Sequence, residues 1–375
     1  MNDKLITIAT YSYSRAQLLK SCLEAEKIDC FMTNTNMIQS AVSLGVKVYV
    51  RETDMEKALE IVDAFNLKFA KENIENSNIA KVDIKRILVP IDFNHDSKNI
   101  CEYALALAKN FSSEIMLFHA YYGVAIESIP FSDTYTTQTR LFEILDDIEQ
   151  ESTKKVKKII QNLNSNLTNQ NINNVDIKYT LCNGIIESEI INICNSYKPD
   201  IIVMGKKDST NDNEIFGEVS ETIVKKSKVP VLLVPKNADF KGLENLKNIM
   251  YATTFDKSDF RALAKLKHFT SPFKMSMHCV HFDNKDLNPW KDYNMNILER
   301  YLHKNFKNDK VICTNINFEN KITEIIENFI SKNNIDLIAY TSKKKSFISR
   351  LLGSSFSNKI FGNNNLPLLV FHHIQ

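Results

Sequence analysis

Apolar residues are grouped into short runs that alternate with longer, partly polar stretches. Runs such as Ile87–Val89, Ile201–Met204 and Val231–Val234 are apolar at every position. Such continuous runs are typical of parallel strands that are buried on both faces, whereas half-exposed strands alternate apolar and polar residues. Ala- and Leu-rich stretches between the runs, such as 99–110, indicate connecting helices. The pattern therefore predicts α/β domains built on parallel sheets.

The pattern occurs twice after residue 84. Three strand motifs recur in the same order: ILVPIDF (87–93) as IMYATTF (249–255), PDIIVM (199–204) as IDLIAY (335–340), and VPVLLV (229–234) as LPLLVF (366–371). A helical stretch and a second strand follow the first motif each time, at 99–110 and 114–120, then at 259–269 and 274–281. A repeat of this length indicates two copies of one structural unit. It predicts two doubly wound domains of about five strands, at 85–237 and 245–375.

The first 70 residues have a different pattern. Strand-like and helix-like segments alternate in the order β-α-β-β-α, at 5–10, 14–26, 28–33, 46–50 and up to residue 65. This order predicts a small α+β module at 1–70. The polar stretch 70–83 is predicted to link it to the repeats.

Composition excludes several classes of protein. The net charge of +2 gives no field for nucleic acid, and no apolar run approaches the roughly 18 residues of a membrane span. Seven scattered Cys without a CxxC pair indicate reduced thiols. Together with an N-terminus unlike a signal peptide, these features predict a cytoplasmic protein. In the segment His278–His281, strand alternation separates His278 from Cys279 and His281, so a plain strand is favoured over a metal site.

Catalytic motifs are absent from the sequence. It has no Gly-x-Ser-x-Gly elbow, Walker loop or His-Glu-x-x-His motif, so we expect no enzyme, with weak ATP hydrolysis left open. His119, at the end of a strand, either faces a pocket or packs against its neighbours. Residues 121–135 are predicted to form a loop at the carboxyl edge of the sheet, as a lid or a plain connection. Residues 141–163 are predicted to form a charged amphipathic helix.

The stretch MGKKDSTNDNEIFGEVSE, residues 204–221, is the strongest candidate for chemistry. A strand that ends at Gly and leads into a helix is where α/β proteins bind phosphates. Four carboxylates oppose only Lys206 and Lys207 here: Asp208, Asp212, Glu214 and Glu218. From the residues alone, a working phosphate site, a degraded one and an ordinary loop all remain open.

The motifs ILVPIDF, EYALALAKNF, DIIVMG and VPVLLVP resemble the universal stress protein family. The resemblance covers about 85–236 and 246–372, most of the chain. It implies two tandem domains of the adenine nucleotide alpha hydrolase-like fold, which pair through their last strands as a homodimer or an intramolecular pseudo-dimer. The segments LITIATYSYSRAQLLKSCLEAEKIDCF and GVKVYVRETDMEKALEIV resemble a small signal-transducing module of unknown function.

The resemblance implies that ATP or AMP binds in the first repeat. Family members that bind these nucleotides use an Asp after the first strand for adenine, and a glycine loop of the form Gly-x-x-Gly, nine residues, Gly-Ser/Thr for phosphates. Here the Asp is Asp92. The residues implied to bind the nucleotide are Val89, Pro90, Ile91, Asp92, Phe118, Met204, Gly205, Lys206, Gly217, Val219 and Ser220.

Both repeats depart from the family motif. In the first, Asp208 stands at the second Gly, and Gly217-Glu218 replaces the closing pair one residue early. In the second, Thr254 replaces the Asp, and Thr341 and Lys344 replace the first two glycines, although Gly353-Ser354 keeps the closing pair. Two hypotheses follow. One is a stress protein that binds an adenine nucleotide weakly in its first repeat, and the other is a nucleotide-independent scaffold that binds an unidentified protein partner.

Overall fold

The protein forms two compact units. The computed structural model describes residues 5–11, 13–33, 46–62, 64–65, 84–94, 97–121, 134–206, 217–235, 243–255, 257–284, 291–306, 310–318, 322–342 and 366–372. One unit comprises Met1–Ile79 with Asn296–Tyr301, and the other comprises Ala80–Met295 with Leu302–Gln375. The predicted linker at 70–83 lies outside the described residues.

The smaller unit is a three-stranded antiparallel sheet with helices. Strands β1 (Leu5–Tyr11), β2 (Cys30–Thr33) and β3 (Val46–Arg51) are arranged in the order β1-β3-β2, and α1 (Tyr13–Ala25) contacts all three. Residues 55–62 form a further helix, α2. Leu19, Leu23, Val48 and Val50 are fully buried in its core. The predicted order β-α-β-β-α is therefore confirmed.

The larger unit is built on one ten-stranded sheet. Its order is β11-β10-β9-β12-β13-β8-β7-β4-β5-β6. The strands are β4 (Arg86–Pro90), β5 (Glu114–Tyr121), β6 (Asp176–Asn183), β7 (Ile201–Gly205), β8 (Val231–Val234), β9 (Asn248–Ala252), β10 (Ser276–Asn284), β11 (Val311–Phe318), β12 (Leu337–Ser342) and β13 (Leu368–His372). The apolar runs within the central strands are buried, as the sequence pattern predicts. The mostly parallel α/β sheet is the predicted fold class.

Helices cover this sheet. They include α3 (Ser97–Phe111), α4 (Thr134–Asn169), α5 (Ile186–Tyr197), α6 (Glu218–Lys226), α7 (Lys257–Thr270) and α9 (Ile322–Lys332). A further helix, α8 (Lys291–Asn305), has its residues 296–301 in the smaller unit. The long α4 includes the predicted amphipathic segment 141–163. The predicted loop at 121–135 is wrong at Tyr121, which ends β5, and at its last two residues, because α4 already begins at Thr134. Residues 122–133, the rest of that predicted loop, lie outside the described residues.

The sheet consists of two halves with the same strand order. In the first half, β4 to β8, the central strand β4 pairs with β5 and β7; in the second half, β9 to β13, the central strand β9 pairs with β10 and β12. The halves also share a bridge at the start of the central strand. Asp200 Oδ2 accepts the N–H groups of Lys85 (2.8 Å) and Arg86 (2.9 Å), and Asp336 Oδ2 accepts the equivalent pair in the second half.

The halves meet edge to edge at β8 and β13. These strands are antiparallel, with Leu368 opposite Leu233 and Val370 opposite Val231. Every other strand pair of the larger sheet in the described part of the chain is parallel. Side chains from both halves form one apolar cluster that crosses this junction. The two halves of the sheet therefore share a single core.

We predict that acid weakens this junction through His372. Its Nε2 donates to the Val224 carbonyl on α6, 2.8 Å away, and burial lowers the pKa of His372 from 6.5 to about 4. Because the unfolded chain binds this proton more readily, stability is complete above pH 6.5 and falls as pH drops towards 4, by up to about 3 kcal/mol.

The measurement is urea unfolding at several pH values for wild type and His372→Gln. Glutamine can donate to the same carbonyl but does not titrate, so the variant should lose less stability than wild type between pH 6.5 and 4. Identical pH profiles for the two proteins would contradict the prediction.

Candidate functional site

The candidate site lies where the strand order of the first half reverses. The chain proceeds from β4 to β5 and β6 on one side, then returns to place β7 and β8 on the other. The carboxyl ends of β4 and β7 are therefore neighbours, and loops leave them in opposite directions. Ligands of open α/β sheets bind in the crevice formed at such a point. Asp92 follows β4, and Gly205 ends β7.

Asp92 is exposed and organises the turn before α3. Its Oδ1 accepts the N–H of Asn94 and the hydroxyl of Ser97, both at 3.0 Å, and its Oδ2 accepts the side-chain amide of Asn94 at 2.7 Å. Asp92 therefore forms a side-chain turn with Asn94 and is tied to Ser97, the first residue of α3. The carboxylate nevertheless lies on the surface at the carboxyl edge, where a ligand can reach it.

The residues that close the predicted phosphate loop return to the end of β7. The N–H of Gly217 donates to the Lys206 carbonyl at 3.3 Å. The Ser220 hydroxyl is fully buried and lies 3.0 Å from the Lys206 carbonyl and 2.9 Å from the Gly217 carbonyl. Ser220 therefore ties the loop ends together, and its hydroxyl is engaged by the protein backbone.

The middle of this loop lies outside the described residues. It carries Lys207 and three of the four carboxylates counted above, Asp208, Asp212 and Glu214. Glu218 is the first residue of α6, and its side chain is exposed. It therefore does not fill the interior of the site.

Lys206 is a buried cation at this edge. Its N–H donates to the Val234 carbonyl at 2.8 Å, which continues the pairing of β7 with β8. The residue is only 5% exposed, and burial lowers the pKa of its ammonium group to about 8. Lys206 is consequently still mostly protonated at pH 7.

The remaining predicted residues lie on the strands beneath this edge. Val89, Pro90 and Ile91 end the central strand and its exit, Phe118 lies on β5, and Met204 lies on β7, all of them buried. Val219 is half-buried on α6. The Phe118 carbonyl accepts the N–H of Ile91 at 2.8 Å. The structure thus brings residues 89–92, 118, 204–206 and 217–220 to one end of the first half.

His119 is packed as part of the scaffold. Its Nδ1 lies 2.8 Å from the Ile91 carbonyl, and its ring lies 4.2 Å from that of Phe93, a residue held at a φ of 62°. His281 and Phe255 repeat this arrangement in the second half, with a ring separation of 4.1 Å. Because both halves contain this contact, the histidine and phenylalanine of each pair stabilise the chain where it leaves the central strand.

The second half fills the equivalent position with a buried polar network. The Asp259 carboxylate, 2% exposed, accepts the Tyr251 hydroxyl at 3.0 Å, the Thr253 hydroxyl at 2.9 Å and the N–H of Thr254 at 2.8 Å. The Tyr251 hydroxyl also lies 2.8 Å from that of Thr341. Burial and the Asp259 charge raise the pKa of Tyr251 well above its usual value. These side chains satisfy one another's hydrogen bonds at the carboxyl edge of the second half.

The two halves differ at three matched positions. Val89, Ser97 and Gly205 of the first half stand where the second has Tyr251, Asp259 and Thr341. The acid and the hydroxyl have exchanged places, because Asp92 accepts from Ser97 whereas Asp259 accepts from the hydroxyl and N–H of residue 254. Tyr251 and Asp259 were not among the site residues predicted from the sequence. The tyrosine in the motif IMYATTF, at the place of Val89 in ILVPIDF, was the feature of the sequence that could have indicated this network.

A metal site and a membrane span are not found in the described part of the chain. No group of three or more potential metal-binding side chains occurs there. Cys279 is buried, and the ring of His278 lies edge-on to Phe329 at 6.0 Å. No described helix is long and apolar enough to cross a bilayer.

Relatives of the chain are universal stress proteins. Two from Methanocaldococcus jannaschii are each 28% identical over 153 and 155 residues, about 40% of this chain and 82% and 95% of theirs. The crystal structure of a universal stress protein from Archaeoglobus fulgidus matches with a TM-score of 0.56 at 18% identity. That match covers 78% of this chain and 97% of the other, and it shows a common fold.

Two family models match separate parts of the chain. Residues 7–66 match the family described as "Putative prokaryotic signal transducing protein". Residues 83–235 match the universal stress protein family. Both matches agree with the resemblances noted in the sequence. The chain therefore contains a universal stress protein domain at residues 83–235, preceded by a module of the signal-transducing type.

Proposed function

We propose that the first half binds an adenine nucleotide, ATP or AMP, and that the chain serves a stress-response or signalling role through this binding. The contrast between the two halves carries the proposal. Tyr251, Asp259 and Thr341 occupy the switch point of the second half, whereas the first half has smaller side chains at these positions. The first half also retains an exposed carboxylate, Asp92, and a glycine, Gly205, on adjacent strand ends.

Each part of the site has a role in this proposal. Asp92 accepts a hydrogen bond from the adenine, next to the backbone of residues 89–91 and 118. The phosphates lie against Gly205, Gly217 and the start of α6, where the helix dipole favours an anion. Lys206 supplies a positive charge. Ser220 holds the loop ends, and Glu218 opposes the phosphates, which predicts weak affinity.

We further propose that residues 85–237 and 245–375 are two domains of the same family and that the second acts as an internal partner. The junction of β8 with β13 supports this interpretation, because it covers the edge strand through which separate copies would otherwise pair. The pseudo-dimer is thus favoured over a homodimer. The acidic residues of the loop favour the rival function, a scaffold that binds a protein partner without a nucleotide.

We predict that ATP or AMP stabilises the protein through Asp92. A ligand at 100 times its dissociation constant adds about 2.7 kcal/mol to the free energy of unfolding. Asp92→Ala should lose this gain because it removes the group that accepts a hydrogen bond from the adenine. Gly205→Thr should lose it because it introduces the side chain that the second half has at the equivalent position, Thr341. Thermal unfolding with and without millimolar nucleotide measures the effect.

Thr254→Ala is the matched control, since Thr254 is the counterpart of Asp92 in the second half. It should keep the full nucleotide-dependent shift. If the nucleotide-dependent shift were lost in Thr254→Ala but retained in Asp92→Ala, the nucleotide would bind in the second half and the proposal would be wrong. No shift in wild type would refute nucleotide binding and favour the scaffold.

We also predict that nucleotide affinity depends on the charge of Lys206. Its pKa of about 8 means that the ammonium loses its charge as pH rises above 8, so affinity for ATP should fall over the same range. Lys206→Met keeps the buried stem without the charge and should weaken binding about tenfold at pH 7, or 1.4 kcal/mol. Titration calorimetry between pH 7 and 9 tests both effects.

The exposed Lys226 at the end of α6 provides the comparison for this charge. Lys226→Met should bind ATP with the wild-type pH profile. If Lys206→Met also kept that profile, the charge of Lys206 would have no part in binding.

A further inference from the structure

Two cysteines face each other in the second half. Cys279 on β10 and Cys313 on the adjacent strand β11 are partners in the parallel register, so their side chains lie on the same face. Neighbouring strands are about 4.8 Å apart, which lies within the 4.4–6.8 Å between Cα atoms that a disulfide spans. Besides burial, the proximity of Cys313 contributes to raising the pKa of the Cys279 thiol. A bond between them requires only a small movement of the strands.

The two thiols have different surroundings. Cys279 is fully buried, and burial together with Cys313 and Asp259 raises the pKa of its thiol well above the usual value. Cys313 is only partly buried. It lies on β11, which is an edge strand of the described sheet. A small oxidant therefore reaches Cys313 first, whereas Cys279 is buried beside it and remains a neutral thiol.

This pairing is confined to one place among the described strands. Cys182 lies on β6, the edge strand of the first half that corresponds to β11, and is likewise partly buried. Its partner in the register is Ala120. Cys30 in the smaller unit is opposite Val50. Cys182 thus lies on the strand equivalent to that of Cys313, three positions further along, and is partly buried without a second thiol beside it.

We propose that Cys279 and Cys313 form a redox-active pair that hydroperoxides oxidise to an intramolecular disulfide. The Cys313 thiolate attacks a peroxide oxygen, the O–O bond breaks, and the departing alkoxide or hydroxide takes a proton to leave as ROH or water. Cys313 is then a sulfenic acid. The Cys279 sulfur attacks the sulfur of Cys313, and its proton leaves with the hydroxyl group as water. Overall, two thiols are oxidised to one disulfide and one peroxide is reduced.

The position of the pair makes this oxidation reversible. Cys313 is only partly buried and lies on an edge strand of the described sheet, so a reductant can reach the bond. Disulfides that are exposed are reduced more readily and include the regulatory ones. The bond would form beside Tyr251, which is opposite Cys279 in the register of β9 and belongs to the polar network of this half.

The test is peptide mapping of the full-length protein without reduction. Fully reduced wild type is treated with one equivalent of hydrogen peroxide, its remaining thiols are alkylated, and it is digested with trypsin. We expect the peptides 275–285 and 311–321 to be joined, and dithiothreitol to separate them. If both peptides carry the alkylating label after peroxide treatment, or if Cys313 is oxidised without joining Cys279, the proposal is wrong.

Variants assign the two roles. Cys279→Ser should leave Cys313 as a sulfenic acid that dimedone labels, and Cys313→Ser should leave Cys279 reduced. Cys182→Ser is the matched control and should form the disulfide as wild type does. A disulfide that depends on Cys182 would overturn the proposal. The wild-type peptide map decides the question on its own if a variant at the buried Cys279 fails to fold.

Discussion

The antiparallel pairing of β8 with β13 is the contact on which the larger unit depends. Each half of the sheet ends in a short apolar strand, and either strand alone would expose both its backbone groups and its Val and Leu side chains. By pairing with each other, these strands satisfy one another's hydrogen bonds and merge two cores into one. The other four strands of each half pair in parallel, and the strand at the junction has a neighbour on both sides.

This junction also explains how the halves can diverge. Once both contribute to one core, the scaffold of each must persist, and the Asp200 and Asp336 bridges and the paired His119 and His281 contacts do persist. The carboxyl edges are not needed for that core. One edge therefore retains a glycine, Gly205, and an exposed acid, whereas the other is filled by a tyrosine and a buried aspartate whose hydrogen bonds offset the cost of burial.

Much of the fold could be predicted from the sequence, because the signals are local. Unbroken apolar runs and helical stretches specify the elements, and the repeat of ILVPIDF as IMYATTF specifies two copies of one order of strands. The candidate site was harder to predict. Residues at strand ends could be placed at one edge of the sheet. The direction of the Ser220 hydroxyl could not be predicted, because a hydroxyl near a helix start can face either a ligand or the backbone. In the structure it is buried and lies within hydrogen-bonding distance of two carbonyl groups.

The sequence by itself determined the class of fold, the two-fold repeat, the separate first module and the set of residues at the carboxyl edge. Periodicity and apolar runs encode these features directly. Only the tertiary structure decided that β13 lies against β8, that Tyr251 bridges Asp259 to Thr341, and that Cys313 is opposite Cys279. These contacts join residues that are 34 or more positions apart, or depend on which way a side chain points. Strand register and packing determine both the long-range contacts and the side-chain directions, and no local sequence pattern encodes either.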